Sequence, residues 1–179
     1  NHSHKQIVYA DLFPEPLAML GQHQQLNAGL AWQAIQLMKA DASLGDTIDE
    51  ARCSQAISRL SIPGRLQCIP YKRFKFWLDA AHNEHAISKL LLTLSAANMF
   101  FDVIILRTRE DRDLSMCISE LKRFSNRVVV MTGSGAHDYM CVSDALNTET
   151  SRLHEGTFLI VGSFTTLGDT RAWMKKNKN

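Results

Sequence analysis

The sequence has 179 residues, of which 45% are hydrophobic, and its formal net charge is +2 at neutral pH. It contains no apolar run long enough to span a bilayer and no long block of positive charge, so neither a membrane nor a nucleic acid is an expected partner. Four widely separated cysteines without a C-x-x-C pair favour reduced, buried thiols in a cytoplasmic protein over disulfides.

The first third of the chain is predicted to be helical. Apolar residues recur at helical spacing over residues 23–39, namely Leu26, Leu30, Ala34, Leu37 and Met38. The segment "TIDE" predicts a capping box between Thr47 and Glu50 that opens a second helix, and Pro63-Gly64 ends it. We place a domain boundary here, so that residues 1–61 end one mainly helical domain and residues 62–179 form another.

Beyond residue 61, short apolar strands alternate with amphipathic helices. Strands are predicted at 66–69, 74–80, 101–106, 127–132 and 157–164, and helices at 84–98, 114–124, 143–154 and 169–177. We expect Ile87, Leu90, Leu91 and Leu94 to face the core. The alternation implies right-handed crossovers, and hence an α/β, Rossmann-like, mostly parallel sheet with helices on both faces.

Polar or glycine residues follow four of these strands, at positions 79–83, 107–113, 133–138 and 162–163. In an open parallel sheet, ligands bind at the carboxyl ends of the strands, so the four segments point to one crevice. A plainer reading is also available, because Asp and Asn are common helix caps. Asp79 or Asn83 could simply satisfy backbone amides.

Two other patterns at the strand ends are weaker. Asp79, His82 and His85 have a spacing that could bring three metal ligands together, but no cysteine lies nearby, and we predict no metal site in this chain. The "TGSGAHD" loop at 132–138 has an aspartate where a dinucleotide-binding loop carries its third glycine, so that match is poor.

Five segments resemble, in order, motifs of the bifunctional dihydrofolate synthase/folylpolyglutamate synthase family. They are "LGQHQQLNAG" at 20–29, "PGRLQ" at 63–67, "LDAAHNEHA" at 78–86, "DRD" at 111–113 and "LIVGSF" at 159–164. The family belongs to the Mur-ligase superfamily, which makes amide bonds with ATP through an acyl phosphate. The resemblance implies that residues 1–61 end a central ATP-binding domain and that 62–179 form the C-terminal glutamate ligase domain.

The resemblance also implies site residues. Asn27 and Arg65 contact ATP, where an amide suits the edge of adenine and a guanidinium fork suits phosphate. Asp79 belongs to the same nucleotide site, where an acceptor-only carboxylate suits ribose hydroxyls. His82 and Ser163 lie toward the incoming L-glutamate and the reacting centre. Plainer readings are a solvated Asn27, a surface ion pair for Arg65, a structural His82 and a helix cap for Ser163.

The implied function is ATP-dependent addition of L-glutamate to dihydropteroate or to the glutamate tail of a folate, with release of ADP and phosphate. No P-loop of the form G-x-x-x-x-GK[ST] occurs in these 179 residues. We therefore expect the Mg²⁺ ligands to lie in a missing N-terminal ATPase domain, and this chain, a monomer, to be inactive alone. A shortened 133–156 segment and that missing domain keep open an alternative, a non-catalytic nucleotide-binding or interaction module.

Overall fold

The structure is a computed structural model that describes residues 11–41, 45–109, 111, 113–132, 139 and 141–178. Contacts between Cα atoms divide the chain into two units, Asn1–Ser61 and Ile62–Asn179. The first unit is built from helices and the second from alternating strands and helices.

The described helices of the first unit are α1 (Gln22–Lys39) and α2 (Glu50–Arg59), with a short 3-10 turn before α2. The predicted capping box between Thr47 and Glu50 is wrong. Thr47 belongs to the 3-10 turn, and the Asp49 side chain accepts the hydrogen bond from the Arg52 N–H at 3.0 Å. Aspartate is itself a strong N-cap, and it stands directly before the helix.

Helix α1 lies where the apolar spacing predicts it, but its leucines do not form its buried face. The leucines at 26, 30 and 37 are 43%, 58% and 63% exposed, whereas Gln24, Ala28 and Gly29 are buried. The segment before α1 crosses this small-residue face so closely that a Cβ on Gly29 would lie 1.7 Å from the Asp11 carbonyl oxygen.

The second unit is an α/β domain, as the alternation predicts. Its elements are β1 (Gln67–Tyr71), β2 (Phe74–Asp79), α3 (Glu84–Ala96), β3 (Phe101–Arg107), α4 (Ser115–Leu121), β4 (Ser125–Met131), α5 (Val142–Arg152), β5 (Gly156–Val161) and α6 (Phe164–Lys176). The sheet has the order β1-β2-β5-β3-β4, in which β1 is antiparallel to β2 and all other pairs are parallel.

Helices cover both faces of this sheet, and each face has its own apolar core. On one face α5 and α6 pack over a cluster that includes Phe76, Phe158 and Trp173. On the other, α3 and α4 pack over a cluster that includes Ile104 and Leu121. Of the four α3 residues predicted to face inward, three are buried, and the leucine at 91 is half-buried at the margin of the cluster.

The cysteines are all free, but Cys117 alone among them is buried, so the prediction of buried thiols is wrong for the others. Cys68 is exposed because it lies on the outward face of the short strand β1. Across the described residues, none of the helices combines the length and apolar character needed to cross a bilayer.

Candidate functional site

Four of the five predicted site residues lie in the second unit, at or beside the carboxyl ends of β2 and β5. Asp79 ends β2, and Ser163 stands just beyond β5, directly before α6. Arg65 belongs to the turn that contacts the end of β2, since the Ala80 N–H donates to the Gly64 oxygen at 2.8 Å. Asn27, the fifth, is exposed on α1 in the first unit.

Asp79 is held by two backbone amides. Its Oδ1 accepts a hydrogen bond from the Ala81 N–H and its Oδ2 accepts one from the Leu66 N–H, each at 2.9 Å. Burial raises the pKa of Asp79, although these two hydrogen bonds and the charge of Arg65 act in the opposite direction. Asp79 therefore does satisfy backbone amides, as the plainer reading expects. Each oxygen retains a second lone pair for a ligand hydroxyl.

Arg65 projects from a turn with unusual backbone geometry. Gly64 has a φ of +75°, which glycine adopts readily, and a Cβ there would lie 2.5 Å from the Leu167 Cδ1 in α6. The Arg65 guanidinium carbon lies 5.8 Å from the centroid of the Phe164 ring, the first residue of α6. The arrangement is a cation–π contact, and among the described residues the Arg65 guanidinium makes no ion pair.

Sequence reasoning did not single out Phe164, although it stands in the "LIVGSF" segment. Its ring is 61% exposed and lies beside Arg65, so it forms part of the surface at this edge. The only signal available was a large apolar residue directly after Gly-Ser at a strand end. Because an apolar residue near a helix start usually packs inward, the sequence offers no means to tell that this ring remains exposed.

His82 and Ser163 carry side chains that can reach a ligand at this edge. His82 is exposed, and its Nδ1 lies 2.9 Å from the Ala80 carbonyl oxygen. Ser163 occupies the N-cap position of α6, but its side chain makes no capping bond, and its Oγ lies 3.5 Å from the Thr166 Oγ1. Asn83, by contrast, is a true cap, because its Oδ1 accepts from the Ala86 N–H at 2.8 Å.

The segment after β3 behaves as a charged, solvated loop in its described residues. The Arg109 guanidinium pairs with Asp111 at 3.1 Å, and both side chains are largely exposed. Asp113 accepts a hydrogen bond from the Ser115 N–H at 3.0 Å. The third predicted strand-end segment, 133–138, lies outside the described residues, and so does the "TGSGAHD" loop except for Thr132.

Metal binding has no support in the described part of the chain. Within it, no group of three or more His, Cys, Asp and Glu side chains is arranged to hold an ion. Asp79, His82 and His85 are among these residues and do not form such a group. A Mg²⁺ that accompanies ATP would need several oxygen ligands, which these residues do not assemble. The arginine and carboxylate at the edge of the sheet are instead suited to a phosphate and to hydroxyl groups.

A cavity of about 480 Å³ lies at the opposite edge of the sheet, near the amino end of β2. Tyr71, Phe74 and Trp173 line it together with polar side chains. Two pairs of lining groups bind one another: the Trp173 Nε1–H donates to the Asn147 Oδ1 at 2.7 Å, and the Tyr71 hydroxyl donates to the Asn177 oxygen at 2.5 Å. Lysine, arginine and hydroxyl side chains also line the cavity, but it lies at the other end of β2 from the predicted site.

No protein-family model matches the sequence, and no curated protein matches it significantly. Solved structures do match. Folylpolyglutamate synthetase from Lactobacillus casei superposes over 93% of this chain with a TM-score of 0.67 at 18% identity, and the match covers 44% of that enzyme. Folylpolyglutamate synthase from Thermotoga maritima superposes over 91% with a TM-score of 0.62 at 20% identity, covering 41% of the enzyme.

The Mycobacterium tuberculosis folylpolyglutamate synthase complexed with ADP gives a TM-score of 0.62 at 21% identity, over 91% of this chain and 42% of that enzyme. This chain thus spans about two fifths of the length of the synthases that it matches. At such low identity the likeness concerns the fold. The resemblance seen in the sequence motifs is confirmed at that level.

Proposed function

We propose that this chain is the C-terminal part of an ATP-dependent ligase that adds L-glutamate to dihydropteroate, to a folate glutamate tail, or to both. ATP transfers its γ-phosphoryl group to the acceptor carboxylate, which gives an acyl phosphate and ADP. The glutamate amine then attacks the acyl carbon, so that an amide bond forms and phosphate leaves. The observation that carries this proposal is that Arg65 and Asp79, from two separate motifs, lie at one strand end in a synthase-like fold.

In this proposal the five site residues divide into two groups. Asn27 binds the adenine edge, Arg65 binds phosphate and Asp79 binds ribose hydroxyls, in line with the donors and acceptors of each side chain. His82 and Ser163 position the incoming glutamate at the reacting centre. The Mg²⁺ ligands belong to the N-terminal part, since the described residues of this chain assemble no ion site. Closing the second domain over the acyl phosphate excludes water, which would otherwise hydrolyse it.

The proposed partner within the same protein is a preceding ATPase domain, and the exposed face of α1 supports this. Leu26, Leu30 and Leu37 fall within about 40° of arc on one side of the helix, given about 100° per residue. An exposed apolar stripe on one helix usually marks a surface that another element covers. The synthases of similar fold are more than twice as long as this chain, which leaves room for such an element.

Phosphate release by the full-length protein tests the function. ATP, glutamate and either dihydropteroate or tetrahydrofolate are supplied, and release with both acceptors indicates a bifunctional enzyme. Arg65→Ala should raise the KM for ATP by about one to two orders of magnitude, because a charge-assisted phosphate contact contributes roughly 1.5–3 kcal/mol. Arg73→Ala is the matched control, since its guanidinium also lies over a phenylalanine ring, 5.4 Å from that of Phe74, but at the other end of β2.

The outcomes separate the proposal from its alternative. Release that depends on glutamate and falls in Arg65→Ala but not in Arg73→Ala supports the ligase. A folded full-length protein that binds ATP but releases no phosphate with either acceptor would favour the non-catalytic nucleotide-binding module. This chain alone should release none in either case. A cytoplasmic, monomeric protein without nucleic-acid or membrane partners stays a prediction from the sequence.

A further inference from the structure

Arg65 stands between two residues with left-handed backbone geometry. Gly64 has a φ of +75° and Leu66 a φ of +45°. This region is open to glycine but strained for leucine, whose Cβ approaches the neighbouring carbonyl oxygen. Leu66 is nevertheless buried in the cluster beneath α3. A strained residue of this kind persists only where its surroundings hold it in place.

The end of β2 supplies that hold on both sides of Arg65. On one side, the Ala80 N–H donates to the Gly64 carbonyl oxygen at 2.8 Å. On the other, the Leu66 N–H donates to the Asp79 Oδ2 at 2.9 Å. The Ala81 N–H donates to the Asp79 Oδ1 at 2.9 Å, which fixes the plane of the carboxylate. Without this carboxylate the partly buried Leu66 N–H would lose its acceptor.

We infer that Asp79 is a positioning residue, whose carboxylate holds the left-handed turn and thereby sets where the Arg65 side chain lies at the site. The observed result is a guanidinium held 5.8 Å from the centroid of the Phe164 ring. The phosphate-binding role of Arg65 rests on the proposed function, whereas the hydrogen bonds that hold the turn are independent of it. A ribose contact would use the second lone pair of each oxygen, so the two roles are separable by experiment.

Amide hydrogen exchange of this chain, without any nucleotide, tests the hold on the turn. In Asp79→Ala the Leu66 amide should exchange at least about tenfold faster, because its acceptor is gone. The amides of Ile104 and Ile105 in β3 should stay protected and so report that the sheet is intact. Asp102→Ala is the matched control: Asp102 also accepts from a backbone N–H, that of Thr157 at 2.7 Å, but at the amino end of the sheet.

Equal protection of the Leu66 amide in wild type and Asp79→Ala would overturn the inference, as would the same loss in Asp102→Ala. If Asp79→Ala does not fold, Asp79→Asn serves instead. Asparagine keeps a single acceptor oxygen, so the amide of Leu66 or that of Ala81 should lose protection. Unchanged exchange of both amides in Asp79→Asn would also overturn the inference.

A double-mutant cycle in the full-length protein tests whether Asp79 acts through Arg65. If it does, the increase in the KM for ATP in Arg65→Ala/Asp79→Ala should be at least about threefold smaller than the product of the two single increases, because part of the Asp79→Ala effect is the loss of the Arg65 contact. Single effects that multiply in full would show that Asp79 does not act through Arg65 and would overturn that part of the inference. If the full-length protein releases no phosphate, the proposed function fails, while the exchange result still decides whether Asp79 holds the turn.

Discussion

The Gly162 N–H donates a hydrogen bond of 3.2 Å to the Asp79 main-chain oxygen, one residue beyond the last pair of the β2–β5 ladder. Because the two strands remain bonded at their carboxyl ends, Asp79 and the Gly162-Ser163 turn are held in fixed register. Residues contributed by motifs more than 80 positions apart in the sequence therefore lie side by side. This ladder end is the framework on which the candidate site is built.

Gly162→Ala should damage that framework. A Cβ there would lie 2.9 Å from the Arg107 carbonyl oxygen and 2.8 Å from the Thr166 Oγ1, at a φ of +156°. We expect a loss of about 1–3 kcal/mol in the free energy of unfolding, measured by denaturant titration.

Gly168→Ala is the control, since a Cβ there meets nothing within 4 Å and the residue lies inside α6. It should gain about 0.5–1 kcal/mol from the better helix propensity of alanine. Equal effects of the two substitutions would contradict the steric argument.

Asn83→Ala and Ser163→Ala should differ, although both residues immediately precede a helix after a strand. Asn83 caps α3 through its side chain, so its loss should cost about 1 kcal/mol of stability. Ser163 makes no capping bond, so its loss should change stability by less than about 0.5 kcal/mol.

If Ser163 positions glutamate, Ser163→Ala should lower kcat/KM for glutamate in the full-length protein by roughly fivefold to tenfold, the value of one hydrogen bond. Unchanged kinetics together with a loss of stability like that of Asn83→Ala would make Ser163 a structural residue only.

Glu149→Gln should destabilise the second unit at neutral pH by about 1–3 kcal/mol. The Glu149 side chain is only 1% exposed and pairs with Arg127 at 2.8 Å and Arg152 at 3.0 Å, while the Tyr139 hydroxyl donates to it. Burial alone would raise the pKa of Glu149, but the hydrogen bonds from Arg127 and Tyr139 outweigh it and lower the pKa.

A pKa that is lowered on folding contributes stability above the unfolded pKa, and that contribution is lost as the pH falls through the folded pKa. Between about pH 7 and pH 3, the difference in unfolding free energy between wild type and Glu149→Gln should therefore shrink, and the loss should begin only as the pH falls below the ordinary glutamate pKa of 4.5. Glu120→Gln is the control, because its exposed pair with Arg123 should be worth less than about 1 kcal/mol at any pH. A constant difference for Glu149→Gln across this range would refute the prediction.

Leu30→Gln/Leu37→Gln should leave the stability of this chain nearly unchanged, within about 0.5 kcal/mol, since both side chains are already exposed. In the full-length protein the same pair should lower the unfolding free energy by several kcal/mol, because the stripe is then covered. Ala28→Gln is the contrasting variant: it should already lower the unfolding free energy of this chain alone, because Ala28 is buried within the first unit. If the leucine pair has no effect in the longer protein, the ATPase domain does not cover this face.

The sequence predicts the α/β alternation well where burial dictates the pattern. Strands β3 and β5 are near-continuous apolar runs because helices cover both faces of the sheet. The candidate site residues beyond the strands are predictable because ligands bind at the carboxyl ends of parallel strands. The antiparallel direction of β1 was not foreseen, because five residues with an alternating pattern fit either direction. The buried face of α1 was not foreseen either, because a helix buries whichever face its neighbours cover.

Within the candidate site, the sequence supplies the residue types but not their local bonds. That Asp79 reaches the amide of Leu66 depends on a left-handed backbone at a leucine, which no propensity predicts. The start of α6 at Phe164 rather than near Asp169 likewise depends on how Leu167 packs against Gly64. Such details arise from tertiary contacts, which override the local pattern.

The position of β1 at one margin of the sheet affects how copies of the chain can meet. Pro70 is the last residue but one of this strand and has no N–H to donate, so another strand could not add a complete ladder there. The opposite margin, β4, is longer and has no proline. Fibril-like growth by strand addition, during folding or storage at high concentration, should therefore begin at β4, and a charge introduced on its outer edge should suppress it.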